Sequence, residues 1–427
     1  MRVLFRREAG CEQALVASRA RSTGAGSERG VAIVNDDGGA VDVRGHHVGA
    51  LHVPGRRLRE TKAQVARVGS GEAQLERAAA EYSSLSSSKE EEKKTHRDDD
   101  DDDHRQRERR HQRDDDGVFV EIAPNVFMPR VAFGTYKLKG ERCSTAVARA
   151  LECGYEHIDT ASIYKNETDI GDALNEWMKT GERKMPFVAS KIAPAEMHSQ
   201  LLVEQAVSKI LGRLRLRTID LIMLHWPGVS KVSPDSEIHK EKRKNAYRGL
   251  EKCLKEGKVR AIGVSNYHVR HLEELLTYCE IPPSVNQIEA HPMWPQEELI
   301  DFCENKGITV VKYSPFGGGG APLLDDEFVS SQEREVADVT DDDEQAWKPS
   351  QILLAWSLLR GGRKNRDNNT TLCGAVVVKA SSKERMLENY KVLEKDFSNS
   401  KYLSRALKVW DSVKTRKKFA WDSDCVT

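Results

Sequence analysis

Residues 154–171 read GYEHIDTASIYKNETDIG, and this stretch decides both the fold and the chemistry that we expect. A short apolar run ends in Asp159, Tyr164 follows five residues later, and NETDIGDALNEWM has the apolar spacing of an amphipathic helix. The pattern predicts a strand that ends in an acid, a tyrosine on the connecting loop, and a helix. An unperturbed phenol has a pKa of about 10, so Tyr164 needs a cation beside it to donate a proton near neutral pH.

From Val118 onward, a hairpin at 118–130 leads into apolar strand-like runs that alternate eight times with helical segments, such as 199–214 and 247–257. The eight predicted strands are VAFGT (131–135), HIDT (157–160), FVASK (187–191), IDLIMLH (219–225), VRAIGVSN (259–266), SVNQIEAH (284–291), ITVVKYS (308–314) and AVVVKA (375–380). Near-continuous apolar strands are typical of a parallel sheet that is buried on both faces. Eight such units predict an α/β fold, a (β/α)8 TIM barrel. A doubly wound sheet is the alternative, although no glycine fingerprint follows the first strand.

Residues 1–116 differ in composition from the rest of the chain. Their aromatic residues are Phe5 and Tyr82, and the stretch 83–116 consists largely of blocks of like charge. The like charges within each block repel one another, and a segment of this composition cannot bury a core. The composition therefore predicts a disordered low-complexity extension. We therefore divide the chain into the extension 1–116, the barrel 117–398 and a C-terminal helical tail 399–427.

The overall composition excludes several classes of partner. The chain has 67 basic and 67 acidic residues, so no net field favours nucleic acid or an anionic membrane. No apolar run reaches the roughly 20 residues that a membrane span needs. The eight cysteines lack zinc-site spacing, so we expect no metal, and reduced thiols in a cytoplasmic protein. A monomer is the default expectation. Import into an organelle through the N-terminal extension stays open.

Polar residues follow the predicted strands at the same end nearly every time, and barrel enzymes build their sites at the carboxyl ends of strands. These residues are Gly134, Thr135 and Tyr136; Asp159 and Tyr164; Lys191; His225; Ser265 and Asn266; Gln287 and Glu289; Tyr313 and Ser314; and Lys379. Lys191 is the expected cation: held by Asp159, it would lower the pKa of Tyr164 by favouring the phenolate. His225 would donate a hydrogen bond to a carbonyl oxygen.

Five motifs in this order resemble the aldo-keto reductase family over about residues 118–397. They are GYEHIDTASIYKNETDIG, IDLIMLHWP with GKVRAIGVSNY, PPSVNQIEAHP, VVKYSPFGGGG and VVVKASSKERMLEN. The resemblance implies that Asp159, Tyr164, Lys191 and His225 are catalytic. It implies that Tyr164 protonates a carbonyl oxygen of a small-molecule aldehyde or ketone while a reduced nicotinamide delivers hydride.

The same resemblance implies a cofactor site. Its residues are Thr135, Ser265, Asn266, Gln287, Tyr313, Ser314, Phe316, Lys379, Arg385, Glu388 and Asn389, with Tyr136 and Trp226 as substrate walls. The glycines of SPFGGGG would bring backbone N–H groups close to the pyrophosphate. Lys379 and Arg385 suit a 2′-phosphate, which favours NADPH/NADP+ and leaves NADH as a weaker possibility.

The chain departs from the family pattern at several positions. Glu156 stands in place of an arginine, Val378 and Ala380 stand in place of a proline and a serine, and Ala193 stands where some relatives have a large aromatic residue. We expect a weaker preference for NADP(H) and a wider pocket. The alternative functions are a cofactor-binding redox sensor or regulatory subunit, and a purely structural protein.

Overall fold

The computed structural model describes residues 117–179, 181, 183–324, 347–360, 372–397, 401–420 and 423–427. The predicted extension 1–116, the acidic stretch 325–346 and most of the polar loop 361–374 lie outside these residues. No helix in the described ranges is long and apolar enough to cross a membrane.

Eight parallel strands close into a barrel in the order β10-β3-β4-β5-β6-β7-β8-β9. They are β3 (Val131–Gly134), β4 (His157–Asp159), β5 (Phe187–Ile192), β6 (Ile219–Leu224), β7 (Val259–Ser265), β8 (Val285–Glu289), β9 (Thr309–Tyr313) and β10 (Ala375–Val378). Each predicted strand is present to within one or two residues. The closed barrel confirms the (β/α)8 prediction and excludes the doubly wound alternative.

Helices connect the strands and cover the outside of the barrel. Within the described residues they are α1 (Glu141–Glu152), α2 (Glu167–Met178), α3 (Gln200–Leu214), α4 (Ile238–Lys255), α5 (Val269–Leu276), α6 (Glu297–Asn305), α7 (Pro349–Leu358), α8 (Lys383–Tyr390) and α9 (Lys401–Asp411). Short 3-10 turns lie at Ser162–Tyr164, Pro194–Glu196 and Lys391–Glu394. Strand residues that point outward pack with the apolar faces of these helices into one buried core.

An antiparallel hairpin, β1 (Phe119–Ala123) and β2 (Val126–Pro129), precedes the first barrel strand. Its buried side chains, Val120, Ile122 and Met128 among them, form one apolar cluster with the residues that point into the barrel. Because β2 runs directly into the start of β3, the hairpin closes the end of the barrel where the strands begin. The opposite end, where the strands finish, is left for the site.

The C-terminal tail is helical only as far as Asp411. The predicted helix over the rest of the tail is wrong: residues 413–420, which we call the C-terminal strap, have no helical backbone. The strap crosses the loop after β8, where Lys417 N donates to Met293 O (2.9 Å). Glu289 at the end of β8 accepts backbone hydrogen bonds from Phe419 (2.6 Å) and Ala420 (2.8 Å).

Candidate active site

Asp159 and Lys191 form a buried ion pair at the carboxyl ends of β4 and β5. The register pairs Asp159 with Ala189, so Lys191 lies two residues further along its strand and on the same face. Lys191 Nζ donates to Asp159 Oδ1 (2.7 Å), to Asp159 Oδ2 (2.8 Å) and to Thr160 O (3.0 Å). Burial lowers the pKa of Lys191, and the Asp159 carboxylate opposes that shift. The pair is therefore a fixed polar centre beneath the barrel mouth.

Tyr164 ends the 3-10 turn that follows β4 and lies above this pair. Lys191 Nζ is 5.7 Å from the centre of the Tyr164 ring. The expectation that the pKa of Tyr164 is lowered is wrong for this structure. Burial, the negative charge of Asp159 and two neighbouring phenols raise the pKa well above its ordinary value. These effects outweigh the stabilisation of the phenolate by Lys191, so the phenol remains protonated at physiological pH.

His225 lies across the site from Tyr164, with ring centres 5.8 Å apart at an interplanar angle of 74°. Burial, and then the positive charge of Lys191, lower the pKa of His225 to about 3. The imidazole is therefore neutral at physiological pH, with one N–H to donate. Its Nδ1 is buried and has no hydrogen-bond partner among the described residues.

A row of amide and hydroxyl groups continues from this centre across β7, β8 and β9. Gln287 Nε2 donates to Asp159 Oδ2 (2.9 Å), which ties the row to the ion pair. Ser265 Oγ donates to the Gln287 carbonyl (2.8 Å), and Asn266 Nδ2 donates to the His225 carbonyl (2.9 Å). The Tyr313 hydroxyl donates to Asn266 Oδ1 (2.7 Å), so the predicted nicotinamide residues are all brought together.

Thr135 and Asn166 join the loops that follow β3 and β4 by hydrogen bonds. Thr135 Oγ1 donates to the Asp159 carbonyl (2.9 Å). Asn166 Nδ2 donates to the Thr135 carbonyl (2.9 Å), while its Oδ1 accepts from Thr160 Oγ1 (2.9 Å). The sequence prediction missed Asn166. Asn166 is the N-cap residue of α2, a position that asparagine favours, but its side chain bonds the two loops and does not cap the helix.

The loop after β9, Ser314–Gly320, has the backbone that its glycines predict. Gly317, Gly318 and Gly320 have φ values of 80°, 85° and 91°, which glycine adopts without strain. A Cβ added at Gly317 or Gly318 would lie tightly against Phe419 of the C-terminal strap, at 3.0 and 3.2 Å. Phe316 is buried, whereas Ser314 at the start of the loop is half-buried.

A cationic corner lies where β10 ends beside the loop after β3. Lys379 Nζ donates to the Tyr136 carbonyl (3.1 Å), and burial and the nearby charge of Lys137 lower the pKa of Lys379. Lys137, which the sequence prediction also missed, therefore faces the same corner. Arg385 on α8 donates to Ser381 Oγ (3.0 Å).

The two remaining predicted adenosine-end residues lie on the same helix. Glu388 Oε1 accepts a hydrogen bond from Ser350 Oγ (2.5 Å), and the Glu388 carbonyl accepts one from Gln351 Nε2 (3.0 Å), so the glutamate is engaged with α7. Asn389 is buried.

The predicted substrate walls stand at the rim. Tyr136 is 45 % exposed, and its ring centre lies 5.1 Å from that of Tyr164. Trp226, directly after His225, is half-buried, and Ala193 contributes only a methyl group to the loop after β5. Glu156 is exposed and precedes β4, at the end of the barrel away from the site.

The residues present fit a nicotinamide dinucleotide. Lys137 and Lys379 are like charges held close together with no ion pair to an acid among the described residues, an arrangement that a bound phosphate would stabilise. The amide row supplies donors and acceptors for a carboxamide, and the glycine loop allows close approach of backbone N–H groups.

Comparisons with known proteins agree with this geometry. The Aldo/keto reductase family profile matches residues 130–404. The chain is 35% identical over 281 residues to a glyoxal reductase of Bacillus subtilis, covering 65% of this chain and 88% of that protein. It is 33% identical over 302 residues to human aldo-keto reductase family 1 member A1, covering 66% and 87%.

Solved structures show the same similarity. An aldo-keto reductase from a Medee basin deep-sea metagenome library matches with a TM-score of 0.55 and 31% identity, covering 70% of this chain and 95% of that one. The aldose reductase of Schistosoma japonicum matches with a TM-score of 0.55 and 26% identity, covering 68% and 90%. The protein is thus an oxidoreductase with a (β/α)8 barrel fold. The chain belongs to the aldo-keto reductase family.

Proposed function

We propose that the protein reduces small aldehydes or ketones to alcohols with NADPH, and that Tyr164 is the general acid. The observation that carries this proposal is the convergence of Tyr164, His225 and the buried Asp159–Lys191 pair at the barrel mouth. The names of the relatives support it, since the Bacillus subtilis protein is a glyoxal reductase and a yeast relative with 31% identity is an aldehyde reductase.

The neutral His225 fits the role of orienting the substrate, because its N–H can donate to a carbonyl oxygen without competing for the proton. When bound, the reduced nicotinamide supplies the hydride. As negative charge grows on the substrate oxygen, that oxygen becomes a stronger base than a phenolate. The Tyr164 proton then moves to the oxygen, and the nearby Lys191 ammonium stabilises the phenolate that remains.

The amide row and the cationic corner give the cofactor its orientation. Ser265, Asn266 and Gln287 would hold the carboxamide, and Tyr313 would pack against the nicotinamide ring. Lys379, Lys137 and Arg385 favour a cofactor with an additional phosphate, hence NADPH over NADH.

The test compares wild type with Tyr164→Phe, using NADPH oxidation against glyoxal and a panel of small aldehydes. We expect kcat to fall by about 10²- to 10⁴-fold, the usual contribution of a general acid. NADPH binding, followed by its fluorescence, should change less than twofold because the ring and its packing remain. Equal turnover by both proteins would remove Tyr164 from the acid role. Binding of NADPH without turnover of any carbonyl by wild type would favour the cofactor-binding sensor.

A further inference from the structure

Tyr164 is placed by its backbone turn and by ring packing. Its ring contacts Tyr136 and His225, and no hydrogen bond to its hydroxyl is found within the described part of the chain. Its backbone N–H donates to the Ala161 carbonyl (2.9 Å) at the start of the turn. The position of the phenol oxygen therefore depends on whatever fixes the turn Ser162–Tyr164.

The first residue of that turn is anchored to the loop after β5. Ser162 Oγ donates to Glu196 Oε2 at 2.5 Å. The Ala193 N–H donates to Ser162 Oγ (3.1 Å) and also to Glu196 Oε2 (3.0 Å). Ser162 has no solvent exposure and Ala193 is buried, whereas Glu196 is half-buried. We call this hydrogen-bonded triangle the Ser162–Glu196 latch.

The latch joins the two loops that carry the proposed proton donor and its cation. Ala193 comes two residues after Lys191 in sequence, and Ser162 comes two residues before Tyr164. Hydrogen bonds to a carboxylate are roughly twice as strong as neutral ones, so the latch restrains the turn more than packing alone would. Burial, and to a smaller extent the charge of Glu196, raise the pKa of Glu167 on α2.

We propose that Ser162 and Glu196 are positioning residues that hold Tyr164 at its distance from the Asp159–Lys191 pair. This inference rests on the proposed function, because it assigns the two residues a part in the same proton transfer. A displacement of about 1 Å at a reacting group can cost on the order of 100-fold in rate. Loss of the latch should therefore affect the chemical step while leaving cofactor binding intact.

The experiment measures single-turnover hydride transfer with NADPH and glyoxal for Ser162→Ala, Glu196→Ala and Glu196→Gln. We expect both alanine variants to slow the step by about 10- to 100-fold, with NADPH affinity and KM within about twofold of wild type. Glu196→Gln keeps an oxygen that can accept both hydrogen bonds, so it should retain most of the rate. Glu298→Ala, on the exposed side of α6, is the control for loss of a carboxylate.

The decisive comparison repeats Glu196→Ala in the Tyr164→Phe background. If the latch acts through the phenol, the double variant should equal Tyr164→Phe within about twofold, since the group being positioned is already gone. A further tenfold loss would mean that the substitution distorts the site generally, and would overturn the proposal. Wild-type rates in Ser162→Ala and Glu196→Ala would also overturn it.

These variants distinguish failure of the proposed function from failure of the latch. If Tyr164→Phe itself turns over at the wild-type rate, the proposed function fails. If Tyr164→Phe collapses while the latch variants do not, only the latch fails. Should Glu196→Ala not fold, as judged by thermal unfolding, Ser162→Ala carries the same comparison because it removes only one oxygen atom.

Discussion

At the scale of single residues, burial and the charge of Asp159 raise the pKa of Tyr164 and keep its phenol protonated. The common location of Asp159, Lys191 and His225 at one end of the barrel was predictable, because strand patterning places each of them at the end of its strand. The pKa of Tyr164 was predicted in the wrong direction. Its value depends on how deeply the phenol is buried and on how close the charge of Asp159 lies, and neither is visible in a linear sequence.

His225 should make the folded state sensitive to acid. Its pKa is about 3 in the folded protein against about 6.5 when unfolded, so between those values the unfolded chain binds the extra proton. Stability from this group is complete above pH 6.5 and is lost as the pH falls. From pH 7 to pH 5, the wild type should lose about 2 kcal/mol more unfolding free energy than His225→Gln.

Urea unfolding of both proteins at the two pH values measures this difference. His271, whose pKa is also lowered to about 3, is present in both and cancels from the comparison. Equal losses would mean that His225 already carries a proton in the folded protein at pH 5, contrary to its assignment as a neutral donor.

At the scale of elements, strands were easier to predict than helices and the tail. The buried strands are mostly apolar up to their carboxyl ends, so their bounds follow from the sequence. Helix α4 begins at Ile238, whereas the periodicity predicted its start near Tyr247, because its first turns are mostly charged and offer little pattern. The strap is not helical, and Glu289, far away in sequence, accepts hydrogen bonds from two of its backbone N–H groups.

The contact between β9 and the end of α7 contains a buried lysine. Lys312 on β9 is fully buried, and its Nζ donates to the Arg360 carbonyl just beyond the end of α7. A cation at a helix C-terminus is favourable. However, burial, with the nearby Arg360 charge, lowers the pKa of Lys312 to about 7.

Wild-type stability should therefore rise with pH relative to Lys312→Met. Between pH 7 and 10.5 the unfolded lysine holds its proton while the folded one releases it, so the unfolded state binds more protons. From pH 7 to pH 9, we expect the unfolding free energy of the wild type to rise by about 2 kcal/mol relative to that of the variant. Chemical unfolding measures this difference. Lys306→Met, at the partly exposed end of α6, controls for the loss of a charge. If the unfolding free energies of wild type and Lys312→Met differed by the same amount at pH 7 and pH 9, the expectation would be wrong.

At the scale of the whole molecule, the C-terminal strap connects the tail to the site. Glu289 accepts hydrogen bonds from Phe419 and Ala420, and His291 Nε2 lies 3.1 Å from its carboxylate. Phe419 also contacts the glycine loop after β9. The strap, the end of β8 and the proposed pyrophosphate loop thus form one contact layer.

Glu289→Gln should loosen the strap, because the new amide nitrogen faces a backbone donor instead of accepting from it. Each hydrogen bond to a charged group contributes about 1.5 to 3 kcal/mol. The basic residues Lys414, Arg416, Lys417 and Lys418 are trypsin sites within the strap. We expect cleavage there to accelerate at least tenfold in Glu289→Gln under native conditions, mapped by mass spectrometry. Glu298→Gln should match the wild type, and an unchanged cleavage rate in Glu289→Gln would show that the strap is held by other contacts.

The hairpin β1–β2 affects the order in which ligands could bind and leave. With apolar side chains sealing the end where the strands begin, a ligand that reaches the floor of the barrel mouth has one way in and the same way out. A dinucleotide lying along the amide row would lie deeper than a carbonyl compound at Tyr136 and Trp226. A dinucleotide bound there would therefore have to enter before the carbonyl compound and leave after the alcohol product.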